Sequence, residues 1–142
     1  MAITQATCTS FKKELLEAIH DFTAHTFKIA LYSDSADLSA GTTVYSTSNE
    51  ITNTSGSAYS PGGKALTTIA PTTSGTVAFV DFENISWANA SFTARGALIY
   101  NSSASNKAVA VLDFGSNRVV SGDTFEVQFP VSSATTAIIR IS

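Results

Sequence analysis

The chain has 142 residues, a formal net charge of −3 and a charged fraction of 13%, about half the usual share, while 39 of its residues are Ser or Thr. This length predicts one domain spanning residues 1–142. The eight Lys and Arg residues form no cluster beyond Lys12 and Lys13, which excludes the basic stripe by which proteins bind nucleic acid.

Residues 1–8 precede the first periodic pattern, and we interpret them as an N-terminal arm. They contain neither the basic region nor the apolar region of a secretion signal. No window of the chain approaches the length of an apolar membrane span. We therefore expect synthesis in the cytoplasm and no membrane partner. Cys8 is the single cysteine, so no disulfide is possible within the chain.

Apolar residues recur every three or four positions between Phe11 and Phe22, with charged residues between them. This spacing predicts one amphipathic helix over residues 9–22. Thr9 or Ser10 is expected to cap its first amides through a side-chain oxygen.

Residues 26–33 alternate between apolar and polar side chains, which predicts a strand that turns Phe27, Ile29 and Leu31 toward the core. After this strand, residues 34–63 are rich in Ser, Thr, Asn and Gly. They predict a long loop excursion with one or two short edge strands.

Long loops in compact domains usually carry function, so we expect the excursion to bind a partner. The N-terminal arm is a second candidate contact segment. Deleting residues 45–60 is then expected to leave a folded domain that no longer binds. The candidate contact residues in these two segments are Ile3, Tyr45, Ile51 and Tyr59.

After a predicted turn at residues 71–75, the rest of the chain is predicted to form strands. The connections are mostly too short for parallel crossovers, so we expect antiparallel pairing. The sequence predicts a mainly β fold: an antiparallel β-sandwich, jelly-roll or immunoglobulin-like, with one N-terminal amphipathic α-helix. The strand patterns lie at residues 76–82, 85–88, 92–100, 107–114, 124–129 and 137–141.

Residue types that perform catalysis are few and scattered. His20 and His25 are the only imidazoles, and we interpret both as structural. Asp34 and Asp37 make only a weak match to a calcium-binding loop, because the alternating oxygen ligands are missing. The sequence therefore predicts a protein that is not an enzyme and uses no cofactor and no metal.

Three polar side chains lie within otherwise apolar strand patterns. Alternation predicts that Asp81 and Asp113 face solvent, and a paired acid dyad is the alternative. Arg95 either pairs with an acid, for which Asp113 and Glu126 are the candidates, or projects outward to meet a partner. It is therefore a fifth candidate contact residue.

Five large aromatic side chains between residues 87 and 129 are expected to form the core. A carbohydrate-binding platform would instead expose several Trp or Tyr rings on one face, and the chain has one Trp. These core candidates are Trp87, Phe92, Phe114, Phe125 and Phe129.

The whole chain resembles a family of small virion structural proteins of tailed bacteriophages. The more specific markers are residues 94–101 (ARGALIYN) followed by residues 108–115 (AVAVLDFG). The resemblance also covers residues 8–12 (CTSFK), 20–23 (HDFT), 26–32 (TFKIALY) and 137–141 (AIIRI).

The resemblance implies a capsid decoration (cement) protein that binds neighbouring major capsid subunits or other virion proteins. It implies a homotrimer located in the virion, on the capsid surface, after synthesis in the host cytoplasm. Two alternatives stay open. One is a tail, baseplate or fibre component, and the other is a carbohydrate-binding module for host adhesion.

Overall fold

The structure is a computed structural model that describes residues 2–54 and 56–142. Within these residues the chain is mainly β, as the sequence predicts. In chain order the elements are β1 (Ala6–Thr7), α1 (Thr9–Leu16), β2 (Phe27–Tyr32), β3 (Lys64–Ala65), β4 (Thr68–Ser74), β5 (Val77–Phe82), β6 (Ile85–Asn101), β7 (Lys107–Val127) and β8 (Ile139–Ile141).

The strands form two antiparallel sheets, with the orders β1-β7-β6-β2-β3 and β4-β5-β8. Buried aromatic rings join the two layers: the Phe27 and Phe82 ring centroids lie 6.0 Å apart. The prediction of an antiparallel β-sandwich with one N-terminal helix is confirmed.

Strand β2 lies between β6 and β3 in the larger sheet and pairs with β6 along its whole length. Phe27, Ile29 and Leu31 are buried, as alternation predicts, but Ala30 and Tyr32 are buried as well. Both faces of β2 are therefore covered, one of them by the loop excursion that follows it.

Strands β6 and β7 are much longer than predicted, because each joins two predicted strands into one. The intervening Asn and Gly residues bend the strands without ending them: Asn89 and Gly122 adopt left-handed φ angles of 52° and 64° at register shifts in the pairing. These residues form β-bulges, which insert extra residues into one strand of a ladder.

The predicted turn at residues 71–75 is mostly strand, because β4 runs through Pro71. The pairing of β4 with β5 shifts register between Ile69 and Thr72, so Pro71 lies at an irregularity in the ladder. Strand β4 is also the edge of its sheet, where a residue without an N–H is tolerated.

Helix α1 begins at Thr9 as predicted but ends at Leu16, not at residue 22. Ala18 has a φ of 60°, and the amides of Ala18 and Ile19 donate to the carbonyls of Leu15 and Glu14. This is a Schellman motif, which stops a helix within one residue.

The start of α1 also differs from the prediction. Cys8 is the N-cap residue and its side chain makes no capping hydrogen bond, so the expected cap by Thr9 or Ser10 is wrong.

In the described part of the chain, no helix has the length and apolar character needed to cross a membrane.

The predicted N-terminal arm is part of the domain from residue 2 onward, while Met1 lies outside the described residues. Strand β1 pairs with β7, and the amide of Thr4 donates to Leu38 O at 2.8 Å. Ile3 packs against Gly96, where an added Cβ would lie 2.8 Å from Ile3 Cγ2. The described part of the predicted arm, residues 2–8, therefore completes the sheet and the core.

The excursion over residues 34–63 contains no strand in its described residues, so the one or two predicted edge strands are absent. Single bridges join Val44 to Lys107 and Glu50 to Tyr32, and each ties the excursion to the larger sheet. The excursion is thus irregular in backbone but fixed in position, and Ser55 lies outside the described residues.

Candidate partner-binding site

The excursion is organised around a buried carboxylate, Glu50. Its side chain accepts hydrogen bonds from the Tyr45 hydroxyl at 2.6 Å, from the Gly62 amide at 2.7 Å and from the Tyr59 hydroxyl. Glu50 is buried although no cation pairs with it among the described residues. We name this group, Glu50 with Tyr45, Tyr59 and Gly62, the Glu50 hub.

The two remaining tyrosines of the chain attach the Glu50 hub to the sheet. The Tyr32 hydroxyl donates to Ser46 O at 2.6 Å, and the Tyr100 hydroxyl donates to Gly62 O at 2.7 Å. The rings of Tyr45 and Tyr100 stack with centroids 4.5 Å apart. Strands β2 and β6 therefore fix both the middle and the end of the excursion.

The electrostatics of the Glu50 hub keep its hydroxyl donors protonated. Burial, followed by the nearby Glu50 carboxylate, raises the pKa of Tyr100 to about 12. Burial and the hydrogen bond to Glu50 raise the pKa values of Tyr45 and Tyr59 further still. Near neutral pH these groups remain donors, as a buried carboxylate requires.

Three of the five predicted contact residues are core residues. Ile3 is 6% exposed, Ile51 is 8% exposed and Tyr59 is fully buried. A side chain that packs inside its own domain offers no surface to a partner, so the prediction is wrong for these three. In the excursion, the apolar side chains of Ile51 and Tyr59 instead anchor the loop to the core.

The same burial corrects the expectation for the deletion of residues 45–60. This segment contains Glu50, Ile51 and Tyr59, all of them buried. Removing it would delete most of the Glu50 hub and part of the core, so the deletion would unfold the domain. Only substitutions of exposed residues test the excursion for binding.

Tyr45 and Arg95 are partly exposed, and their role in partner binding stays a prediction. Arg95 Nε donates to Asp113 Oδ1 at 3.2 Å, which confirms the predicted pairing with an acid. The Gly115 amide, followed by Arg95, lowers the pKa of Asp113. The other candidate acid, Glu126, instead accepts a hydrogen bond from Gln128.

The two histidines meet at Asn101, at the end of β6. Asn101 Oδ1 accepts from the Ser103 amide, so its Nδ2 donates to Nδ1 of both His20 and His25, each at 3.0 Å. His20 Nε2 then donates to Glu14 at 2.9 Å. This network joins the segment after α1 to the β6–β7 turn, which is a structural role for both imidazoles.

Asp81 is fully buried, so the prediction that it faces solvent is wrong. Its Oδ1 accepts from the Phe82 amide at 2.8 Å, while Oδ2 has no hydrogen-bond partner. Burial raises the pKa of this carboxyl. Asp81 lies in the smaller sheet and Asp113 in the larger one, and no hydrogen bond joins them. They do not form an acid dyad.

The five predicted core aromatics between residues 87 and 129 pack in or against the core, as predicted. Trp87 is buried, and its ring lies 6.0 Å from Tyr59 and 6.2 Å from Phe125. The other predicted core aromatics are partly buried against it: Phe92, Phe114, Phe125 and Phe129.

Sequence reasoning missed Glu50, which it treated as one scattered acid among eleven. A usable signal was present: the acid lies between Tyr45 and Tyr59, and all three lie in a segment that contains no Lys or Arg. Buried carboxylates require donors, and tyrosine hydroxyls are suitable ones.

Comparison of the chain with protein-family models, with curated proteins and with solved structures gives no match.

Proposed function

We propose that this chain is a non-enzymatic virion structural protein of a tailed bacteriophage, and specifically a capsid decoration protein. In this role it binds neighbouring major capsid subunits on the capsid surface as a homotrimer. The sequence resemblance supports the virion assignment, and the sandwich fold is compatible with it.

The observation that carries the proposal is the fixed position of the excursion. The Glu50 hub and the tyrosines of β2 and β6 fix its backbone from inside, while residues such as Asp37, Val44 and Thr47 stay exposed. A loop that is ordered before binding loses less conformational entropy when a partner docks. This arrangement favours a binding surface.

The surface composition supports binding by many copies. The exposed part of the excursion is rich in Ser, Thr and Asn, which form hydrogen bonds with little charge. Each contact of this kind is weak, but repetition on a symmetric shell multiplies the effective affinity.

The experiment that tests the proposal is a cryo-electron microscopy reconstruction of the virion with this chain traced in the density. Copies between capsid subunits across the shell would support a decoration protein. Copies confined to the tail would instead favour the tail or baseplate alternative. Absence from the particle would contradict every virion role.

A matched binding experiment distinguishes the excursion from the rest of the surface. Purified chain carrying Thr47→Glu and Thr52→Glu should no longer coat particles, because both residues are exposed on the excursion. The control carries Ser86→Glu and Thr124→Glu, exposed residues of β6 and β7 outside the excursion, and should coat particles normally.

A further inference from the structure

A groove of about 620 Å³ lies between helix α1 and the C-terminal strand β8. The side chains on both sides of the groove are mainly aliphatic. On the helix side they are Leu15 and Leu16, and on the strand side Ile138, Ile139 and Ile141.

Two large apolar side chains of this groove are solvent-exposed. Leu16 is 91% exposed and Ile141 is 59% exposed. Strand β8 is also the edge of the smaller sheet and pairs only with β5. Exposed aliphatic side chains beside an open strand edge are typical of a surface that another chain covers.

The charged side chains that line the groove are both cationic. Lys12 and Arg140 are its charged side chains, and no Asp or Glu lines it. Neither forms an ion pair with any residue from 2–54 or 56–142, although Arg140 Nη1 donates to Thr135 O at 2.6 Å. A segment with exposed carboxylates and a small apolar side chain would complement this groove.

The chain itself contains such a segment, residues 34–44, which we name the acidic segment. Asp34 and Asp37 are exposed, and Val44 is 48% exposed. The whole excursion contains no Lys or Arg, and its third acid, Glu50, is buried in the Glu50 hub. The exposed charged side chains of the acidic segment are therefore negative, whereas those of the groove are positive.

Within one copy these two surfaces are neighbours but do not pair. The Thr9 amide donates to Ala40 O at 2.9 Å, which places the acidic segment beside the start of α1. No ion pair joins Asp34 or Asp37 to Lys12 or Arg140 in the described structure. Neighbouring patches of opposite charge on one copy make its surface complementary to that of a second copy.

We propose that the α1–β8 groove binds the acidic segment of a second copy of this chain. Asp34 and Asp37 of one copy lie opposite Lys12 and Arg140 of the other, and Val44 packs between Leu16 and Ile141. This inference rests on the self-association included in the proposed function, but not on the capsid location.

The test is the oligomeric state of the purified full chain, measured by light scattering and sedimentation velocity over a wide concentration range. The wild type should self-associate. The groove variant (Lys12→Glu with Arg140→Glu) and the segment variant (Asp34→Lys with Asp37→Lys) should each weaken self-association by about a hundredfold, because each places like charges in contact.

An equimolar mixture of the two variants should restore association, since the reversed charges again face opposite signs. The control variant Arg118→Glu changes an exposed charge outside both surfaces and should associate like the wild type. All substituted residues are exposed, so circular dichroism should show the same fold for every variant.

A wild type that stays monomeric at every concentration would overturn the proposal, as would variants that associate normally or a mixture that fails to recover. Binding of the monomeric variants to particles is a separate readout. A wild type that coats particles while staying monomeric would contradict this inference and leave the decoration role intact, whereas monomeric variants that still coat particles would show only that coating does not need self-association.

Discussion

The Glu50 carboxylate accepts a hydrogen bond from the Tyr59 hydroxyl inside the domain, although the two residues are nine positions apart in an irregular loop. Tyr59 Oη in turn accepts from the Leu31 amide of β2 at 2.9 Å. A single chain of hydrogen bonds thus runs from β2 of the larger sheet through Tyr59 to the buried Glu50 carboxylate. The stability of the excursion depends on this chain.

Replacing Glu50 by Ala should lower the free energy of unfolding by about 3 kcal/mol, because the Tyr59 hydroxyl and the Gly62 amide lose their buried acceptor. Tyr45→Phe should cost only about 1 kcal/mol, since Tyr45 is partly exposed. Urea denaturation measures both values. Asp37→Ala is the matched control in the same excursion and should change stability very little, while a loss equal to that of Glu50→Ala would argue against the Glu50 hub.

Alkaline pH should destabilise the domain through its tyrosines. The ordinary pKa of tyrosine is 10.0, whereas that of Tyr100 is raised to about 12 and those of Tyr45 and Tyr59 are raised further. Because the unfolded chain releases these protons first, stability is complete below pH 10 and falls as the pH rises through 12.

Absorbance of tyrosinate measures this titration directly. The folded chain should show little ionisation near pH 10, and ionisation should coincide with loss of the circular dichroism signal. The urea-unfolded chain provides the reference and should titrate normally. Ordinary titration of the folded chain near pH 10 would show that the tyrosines are not buried as described.

The strands and their buried faces could be predicted because they depend on local alternation, as in Phe27, Ile29 and Leu31. The continuity of β6 and β7 could not, because Asn89 and Gly122 have the sequence character of turns and act here as bulges. The prediction from alternation that Asp81 faces solvent was also wrong, because both faces of β5 are covered.

The candidate site was only partly predictable for a related reason. The position of the excursion followed from its composition, but the inward direction of Tyr59 and Ile51 did not. Tyr59 packs against Trp87 and Phe92 of β6, and the Ile51 amide donates to Leu31 O of β2. These strands meet the excursion only in the folded state.

Asp81→Asn should stabilise the domain at neutral pH by about 1 kcal/mol, because a neutral amide is cheaper to bury than a carboxylate with one unpartnered oxygen. The pKa of Asp81 is raised by burial, so the wild type gains stability on acidification toward pH 3.8, the ordinary value. The variant should lack this gain. Denaturation curves at several pH values check both effects, and a variant less stable than the wild type at neutral pH would contradict the prediction.

Ala18→Gly should stabilise the domain by about 0.5–1 kcal/mol, because Ala18 adopts a left-handed φ of 60° at the end of α1. Ala24→Gly is the control, since Ala24 is exposed in a turn without a positive φ. The control should be neutral or destabilising. The difference between their midpoints in urea measures the strain at Ala18, and equal midpoints would show that there is none.

Cys8 is the only thiol of the chain; it is fully buried, and burial followed by the nearby Glu14 raises its pKa to about 11. A thiol reagent therefore reaches it only when β1 or α1 detaches from the sheet. The rate of labelling at this single position reports how often the N-terminal segment opens while the rest of the domain stays folded. The native chain thus contains its own probe of local opening, placed beside the groove through which we propose that copies meet.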